Sequence, residues 1–138
     1  MTDDALLTPA AMRIIRRLPT LDHLEILLLL EREPARTWTP DDVAKVLFGD
    51  TRLVLQLLRD LSGRALLSQT PRPDGAPWAF RFYPPTATLR DAVANLRVAY
   101  DRRPFAVIAA VRRVSSRSIR SLADAFRVRP PSDEDDNG

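Results

Sequence analysis

Apolar positions along this chain follow helical spacing up to residue 62, alternate between 65 and 83, and return to helical spacing from 88 onward. Thr8-Pro9 opens a short helix with Met12, Ile15 and Leu18 on one side and Arg13, Arg16 and Arg17 mostly on the other; Pro19 closes it. Residues 1–7 are expected to fray. Thr20 caps LDHLEILLLLERE, where Leu21, Leu24, Leu27 and Leu28 share a face and the run Ile26–Leu30 widens it until it nearly surrounds the helix. Such a helix belongs at the centre of a core. Glu33-Pro34 stops it, because a residue before proline is pushed out of the α region.

The stretch from Thr39 to Tyr83 then sets out a compact motif. Thr39 caps a helix with Pro40 at its first position and Val43, Ala44 and Leu47 inward. Phe48-Gly49-Asp50 breaks it, with Gly49 expected at positive φ, and Asp50 or Thr51 caps the next helix. That helix, about Thr51–Ser62, turns Val54, Leu57, Leu58 and Leu61 inward, and Gly63 ends it. Two strand-like runs follow, Ala65–Gln69 and Trp78–Tyr83, with Trp78, Phe80 and Phe82 on one face and Ala79, Arg81 and Tyr83 on the other. The loop between them holds the turn pair Asp74-Gly75 among prolines. Trp38, beside a cap, is expected to bury its ring.

Beyond Pro84-Pro85, Thr88 is expected to cap a long helix with a seam of Leu89, Val93, Leu96 and Tyr100. Pro104 restarts the helix, and Ser115 or Ser116 is expected to begin a third piece bearing Ile119, Leu122 and Phe126. The order predicts a mainly α fold with a small β-hairpin: a winged helix-turn-helix with C-terminal helices. Its expected divisions are an N-terminal helical extension (1–20), the winged helix (21–85), a C-terminal helical dimerisation region (86–127) and a disordered acidic tail (128–138). The apolar seam exceeds what one small domain needs. It serves either a homodimer or the chain's own core, and the dimer is the reading adopted, through Leu89, Val93, Leu96, Tyr100, Ile119, Leu122 and Phe126.

Composition narrows the chemistry. There is no cysteine and a single histidine, His23, expected at the surface or a boundary, so thiolate catalysis and a histidine-rich metal site are excluded. The adjacent Asp41-Asp42 reads as a pair serving a helix N-terminus rather than a metal. No catalytic residue, metal or cofactor is expected. No signal-like N-terminus and no membrane-length apolar run is seen, which predicts a cytoplasmic protein without a membrane partner.

Charge is unevenly placed. Residues 21–50 hold seven acidic groups against three basic, whereas 84–130 hold ten arginines against three aspartates. Basic charge that begins at the second motif helix and rises afterwards suits a polyanion. The expected contacts with double-stranded DNA are Thr51, Arg52, Gln56 and Arg59 on that helix and Arg72 on the wing, since Arg pairs with guanine and Gln with adenine in the major groove. Leu53 and Leu55 fall outside the inward stripe, which supports an alternative: a module that binds protein, with the C-terminal arginines meeting an acidic partner.

The segments LDHLEILLLL, WTPDDVAKVL, RFYP and PFAVIAAV…SLADAF together resemble small bacterial winged-helix proteins of the MarR-like type, thinly over residues 21–127. The resemblance implies a winged-helix fold and a role in transcription. It names no operator and no ligand.

Overall fold

In the computed structural model the backbone is described for residues 7–47, 49–76 and 78–128, and the side chains of these up to Arg117, Asp74 excepted. Helix α1 (Pro9–Ile15) is capped by Thr8, whose hydroxyl accepts the Ala11 N–H. It is no loose extension: Ala11, Ile14 and Ile15 are fully buried, Leu7 before it is buried too, and α1 lies along α5 (Ala87–Arg102). The expectation that residues up to 7 fray therefore fails at Leu7.

Helix α2 (Leu21–Arg32) starts at Thr20, which accepts the His23 N–H, and stops at Glu33 before Pro34. Its apolar girth is used on several sides, against α4 (Thr51–Gly63), β2 (Ala79–Phe82), α5 and α6 (Pro104–Val128). Each fully buried leucine there contributes roughly 2 kcal/mol relative to exposure.

Helix α3 (Pro40–Leu47) opens with a reciprocal cap: Thr39 Oγ1 accepts the Asp42 N–H, and Asp42 accepts the Thr39 N–H, both at 3.1 Å. That backbone hydrogen bond from Thr39 leads the causes that hold the Asp42 carboxyl below its ordinary range. The turn into α4 differs from expectation. Gly49 is not among the positive-φ residues; its value is its missing side chain, since a Cβ would stand 3.2 Å from Val54 Cγ2. Phe48 lies outside the described residues. Asp50 then caps α4, accepting the Arg52 N–H at 2.9 Å.

The left-handed residue sits at the other end of α4, and it is Ala65, with φ 66°. Helix α4 runs through Gly63; Ala65 N–H then bonds the Ser62 carbonyl and Leu66 N–H reaches back to Leu61. These two bonds form a Schellman ending, closed by the fully buried pair Leu61 and Leu66. Strands β1 (Leu67–Thr70) and β2 form an antiparallel hairpin, with Leu67 opposite Phe82 and Thr70 opposite Ala79. Both are shorter than the alternation suggests. Phe80 and Phe82 face the core, but Trp78 stands 40% exposed outside the strand. Trp38 instead supplies the inward aromatic: it is buried and exchanges both backbone hydrogen bonds with Phe80, at 2.7 and 2.8 Å. That bridge ties the entry of α3 to the wing.

Thr86, not Thr88, caps α5. Arg103 ends α5, Pro104 takes the first position of α6, and the helix continues through Ser115 and Ser116 without the expected restart. The seam residues Leu89, Val93 and Leu96 are buried in the chain's own core, where α5 meets α1, α2 and α6. They do not form a free seam between copies. Tyr100 packs, half-buried, against the same cluster; Ile119, Leu122 and Phe126 have side chains outside the described set. The expected tail falls outside the described residues from 129 onward. One cluster runs from Leu7 to Val111, so helices flanking the motif share its core.

Candidate nucleic-acid interface

The helical period of α4 sorts its side chains. Val54, Leu58 and Leu61 are buried, while Arg52, Gln56 and Arg59 recur three and four residues apart on the exposed side. Among the described residues no carboxylate pairs with Arg52 or Arg59, whereas Arg32, Arg36, Arg64 and Arg97 are all held in ion pairs. The guanidinium groups on the outer face of α4 are therefore available to a ligand. Leu55, expected outside the inward stripe, is partly buried and packs against the core; Leu53 alone of the pair is exposed, at 47%.

Thr51 is differently placed from its neighbours. Its hydroxyl donates to Asp41 across the α3–α4 turn at 2.9 Å. A carboxylate therefore occupies the start of the helix, and more follow on its flank: Asp22, Glu25 and Asp50 line a cavity of about 180 Å³ floored by Ile26, Leu47, Val54 and Leu57 and edged by Leu53. The α4 surface is thus polarised, arginines along the outer stripe and carboxylates beside its first turn.

The wing presents Arg72, exposed, just before a single 3-10 turn at Pro73–Gly75. Gly75 adopts φ 72° there, the one place among the described glycines where the left-handed region is required. Arg81 was not singled out from the sequence. Its register opposite Ser68 puts it on the outer face of the hairpin, where its guanidinium lies 4.8 Å over the Tyr83 ring, itself 53% exposed. Strand parity was the signal that could have found it.

The far end of α4 is anchored by a histidine. His23 is buried rather than superficial: Nε2 lies 2.7 Å from Asp60 Oδ2 and Nδ1 lies 2.7 Å from Thr20 Oγ1. The same Asp60 oxygen accepts the Arg64 Nε–H at 3.0 Å, and Arg17 donates to the Arg64 carbonyl at 3.3 Å. Burial lowers the His23 pKa from 6.5 and outweighs the opposing pull of Asp60. Burial would raise the Asp60 carboxyl, but the hydrogen bonds from Arg64 and His23 hold it below its ordinary range. No spacing rule pointed to this pair, because its members are far apart in sequence.

No helix among the described residues is long and apolar enough to cross a membrane. No family model matches the chain, and no curated protein matches it. Among solved structures it is similar to the adhesin competence repressor AdcR from Streptococcus pyogenes, at 18% identity and a TM-score of 0.49, over 79% of this chain and 78% of that one. It is similar also to a mutant of MarR from E. coli, at 14% identity and a TM-score of 0.49, over 78% and 75% of the two chains. A mutant of MepR from S. aureus stands at 16% identity and a TM-score of 0.48, over 79% and 77%. By the order of its own elements, helix, tight turn, helix and hairpin, the chain is a winged helix-turn-helix protein.

Proposed function

We propose that the chain is a DNA-binding transcriptional regulator that works as a homodimer, with α4 in the major groove and the wing against the backbone. The observation that carries this is the exposed stripe of Arg52, Gln56 and Arg59, whose arginines pair with no carboxylate among the described residues, on a helix capped at both ends. Gln56 supplies the side chain that reads base edges, Arg52 and Arg59 meet the phosphates beside the groove, and Arg72 and Arg81 supply phosphate contacts from the wing. Thr51 is not one of these contacts, since its hydroxyl serves Asp41.

Pairing of copies rests on a different surface from the seam expected in α5. Phe105 is 83% exposed at the start of α6, and Val98 is exposed on α5. We assign pairing to these exposed apolar side chains, and a two-fold pair would place two α4 helices on neighbouring half-sites.

The test is a mobility shift across genomic fragments with the protein and its Arg52→Ala/Arg59→Ala double variant. Salt-sensitive retention that the double variant loses supports the reading; equal retention by both removes α4 from the interface.

A second reading is favoured by Leu53. It stands exposed at the edge of a cavity lined by three carboxylates, an arrangement that suits a basic, partly apolar protein segment. The acidic partner expected from the C-terminal arginines finds no support in that cavity. A pull-down abolished by Leu53→Asp, from a protein that retains no DNA, favours this reading.

A further inference from the structure

We infer that His23 is a proton-operated latch on the C-terminal end of α4: while neutral it shares Asp60 with Arg64, and on protonation it displaces Arg64 and loosens that end of the helix. The geometry carries the inference. Both ring nitrogens are engaged at 2.7 Å, and the ring's partners come from separate elements, Thr20 at the start of α2 and Asp60 on α4. The hydrogen-bond partners assign the neutral tautomer, with Nε2–H donating to Asp60 and Nδ1 accepting the Thr20 hydroxyl proton.

One carboxylate oxygen, Asp60 Oδ2, accepts from both His23 and Arg64. With His23 neutral, that oxygen holds one cation and one neutral donor, and the arrangement balances. Protonation adds a second cation at the same atom and turns Nδ1 into a donor, so the Thr20 hydroxyl must turn its hydrogen away. The His23 side chain is only 7% exposed, whereas the Arg64 side chain is 37% exposed and can turn into solvent. The arginine is therefore the partner that leaves. The charged groups around the ring are Asp22 on α2, Asp60 and Arg64 at the end of α4, and Arg17, which reaches the Arg64 carbonyl from the chain after α1. Burial resists the protonation and Asp60 assists it, so the switch is thrown below neutral pH.

Arg64 is also the cap residue from which the Schellman ending departs, so its release weakens the bonds of Ala65 and Leu66 that fix how α4 leaves the core. An effect on nucleic acid would rest on the function proposed above. The latch is tested in the free protein, so the two ideas fail separately.

The experiment is an NMR titration of the free protein from pH 7.5 to 5. His23 is the sole histidine, so its ring signals are unambiguous to follow. The Arg64 Nε–H signal is expected to move with the same midpoint as that ring. Its exchange with water, relative to that of exposed Arg59, should quicken by about tenfold, the equivalent of one charge-assisted hydrogen bond. A His23→Gln variant should show an Arg64 signal that does not respond over this range. An Arg64 signal that stays fixed while His23 titrates overturns the inference, and so does one that keeps its full response in His23→Gln. The wild-type titration decides alone if the variant does not fold.

Discussion

Thr51 donates its hydroxyl to Asp41 at 2.9 Å, and the bond closes the turn that joins the two helices of the motif. It places a carboxylate beside the first turn of α4, where a DNA backbone would approach. Structure and recognition compete at this point: the acid favours the N-terminus of α3 by about 0.3–1 kcal/mol and repels phosphate.

Removing that acid should therefore separate the two roles. Asp41→Asn is expected to lower stability by about 0.5 kcal/mol and to raise affinity for duplex DNA severalfold at low salt. Denaturant unfolding and a fluorescence binding curve on the same preparation check both. Weaker DNA binding by Asp41→Asn would show that the carboxylate helps present Thr51 to the ligand.

Ala65 holds a left-handed conformation that costs an alanine about 1 kcal/mol or more, and its side chain is exposed. Ala65→Gly should stabilise the protein by about 0.5 kcal/mol, net of the entropy that glycine adds to the unfolded chain. Thermal unfolding reads the gain. A loss of stability would mean the methyl group makes contacts that outweigh the strain.

Stability should also depend on pH through His23. Its folded pKa lies below 6.5 because of burial, so as pH falls the unfolded chain takes up the proton first. The stability contribution is whole above about 6.5, declines as pH drops from there towards the folded value, and falls no further below it. Asp42 and Asp60, both lowered, add a further loss at more acid pH, below the ordinary carboxylate value of 3.8. Unfolding curves at pH 7.5, 6 and 5 should show the first decline in the wild type and not in His23→Gln.

Arg97 Nε lies 2.7 Å from Glu31, whose side chain is only 11% exposed, and Arg97 also approaches Asp101, which pairs with Arg32. This cluster joins the last turn of α2 to that of α5. Arg97→Ala leaves the Glu31 carboxylate buried without its cation and should cost about 1–3 kcal/mol. Arg32→Ala, at an exposed pair, should cost under about 1 kcal/mol. Equal losses would show that solvent screens the Glu31 pair as well.

Phe105 provides the test of pairing. Phe105→Glu should convert the protein to a monomer by sedimentation while its circular dichroism is unchanged, since the ring makes little contact within the chain. A dimer that survives the change moves the contact surface elsewhere.

What was legible in the sequence was local. Thr8, Thr20, Thr39 and Asp50 each announce a helix by a side-chain oxygen placed before a helical period, and each caps as expected. The outer stripe of α4 follows from the same period. What escaped depends on distant partners. His23 looks superficial until Asp60 is brought to it, and the α5 seam looks unpartnered until α1 covers it. Ala65 takes a glycine's conformation because Leu61 and Leu66 gain burial by it. Ser115 and Ser116 looked like caps, yet α6 passes through them, since serine offers a capping oxygen without requiring a break.

The claim that α4 meets DNA through its arginine stripe is tested most directly by the salt dependence of binding. The logarithm of the association constant for a retained duplex should fall linearly with the logarithm of salt concentration. If Arg52 and Arg59 each release a counterion, the Arg52→Ala/Arg59→Ala variant should show a slope shallower by about 1.8, at roughly 0.9 per phosphate contact. Identical slopes for the wild type and the variant would contradict the account.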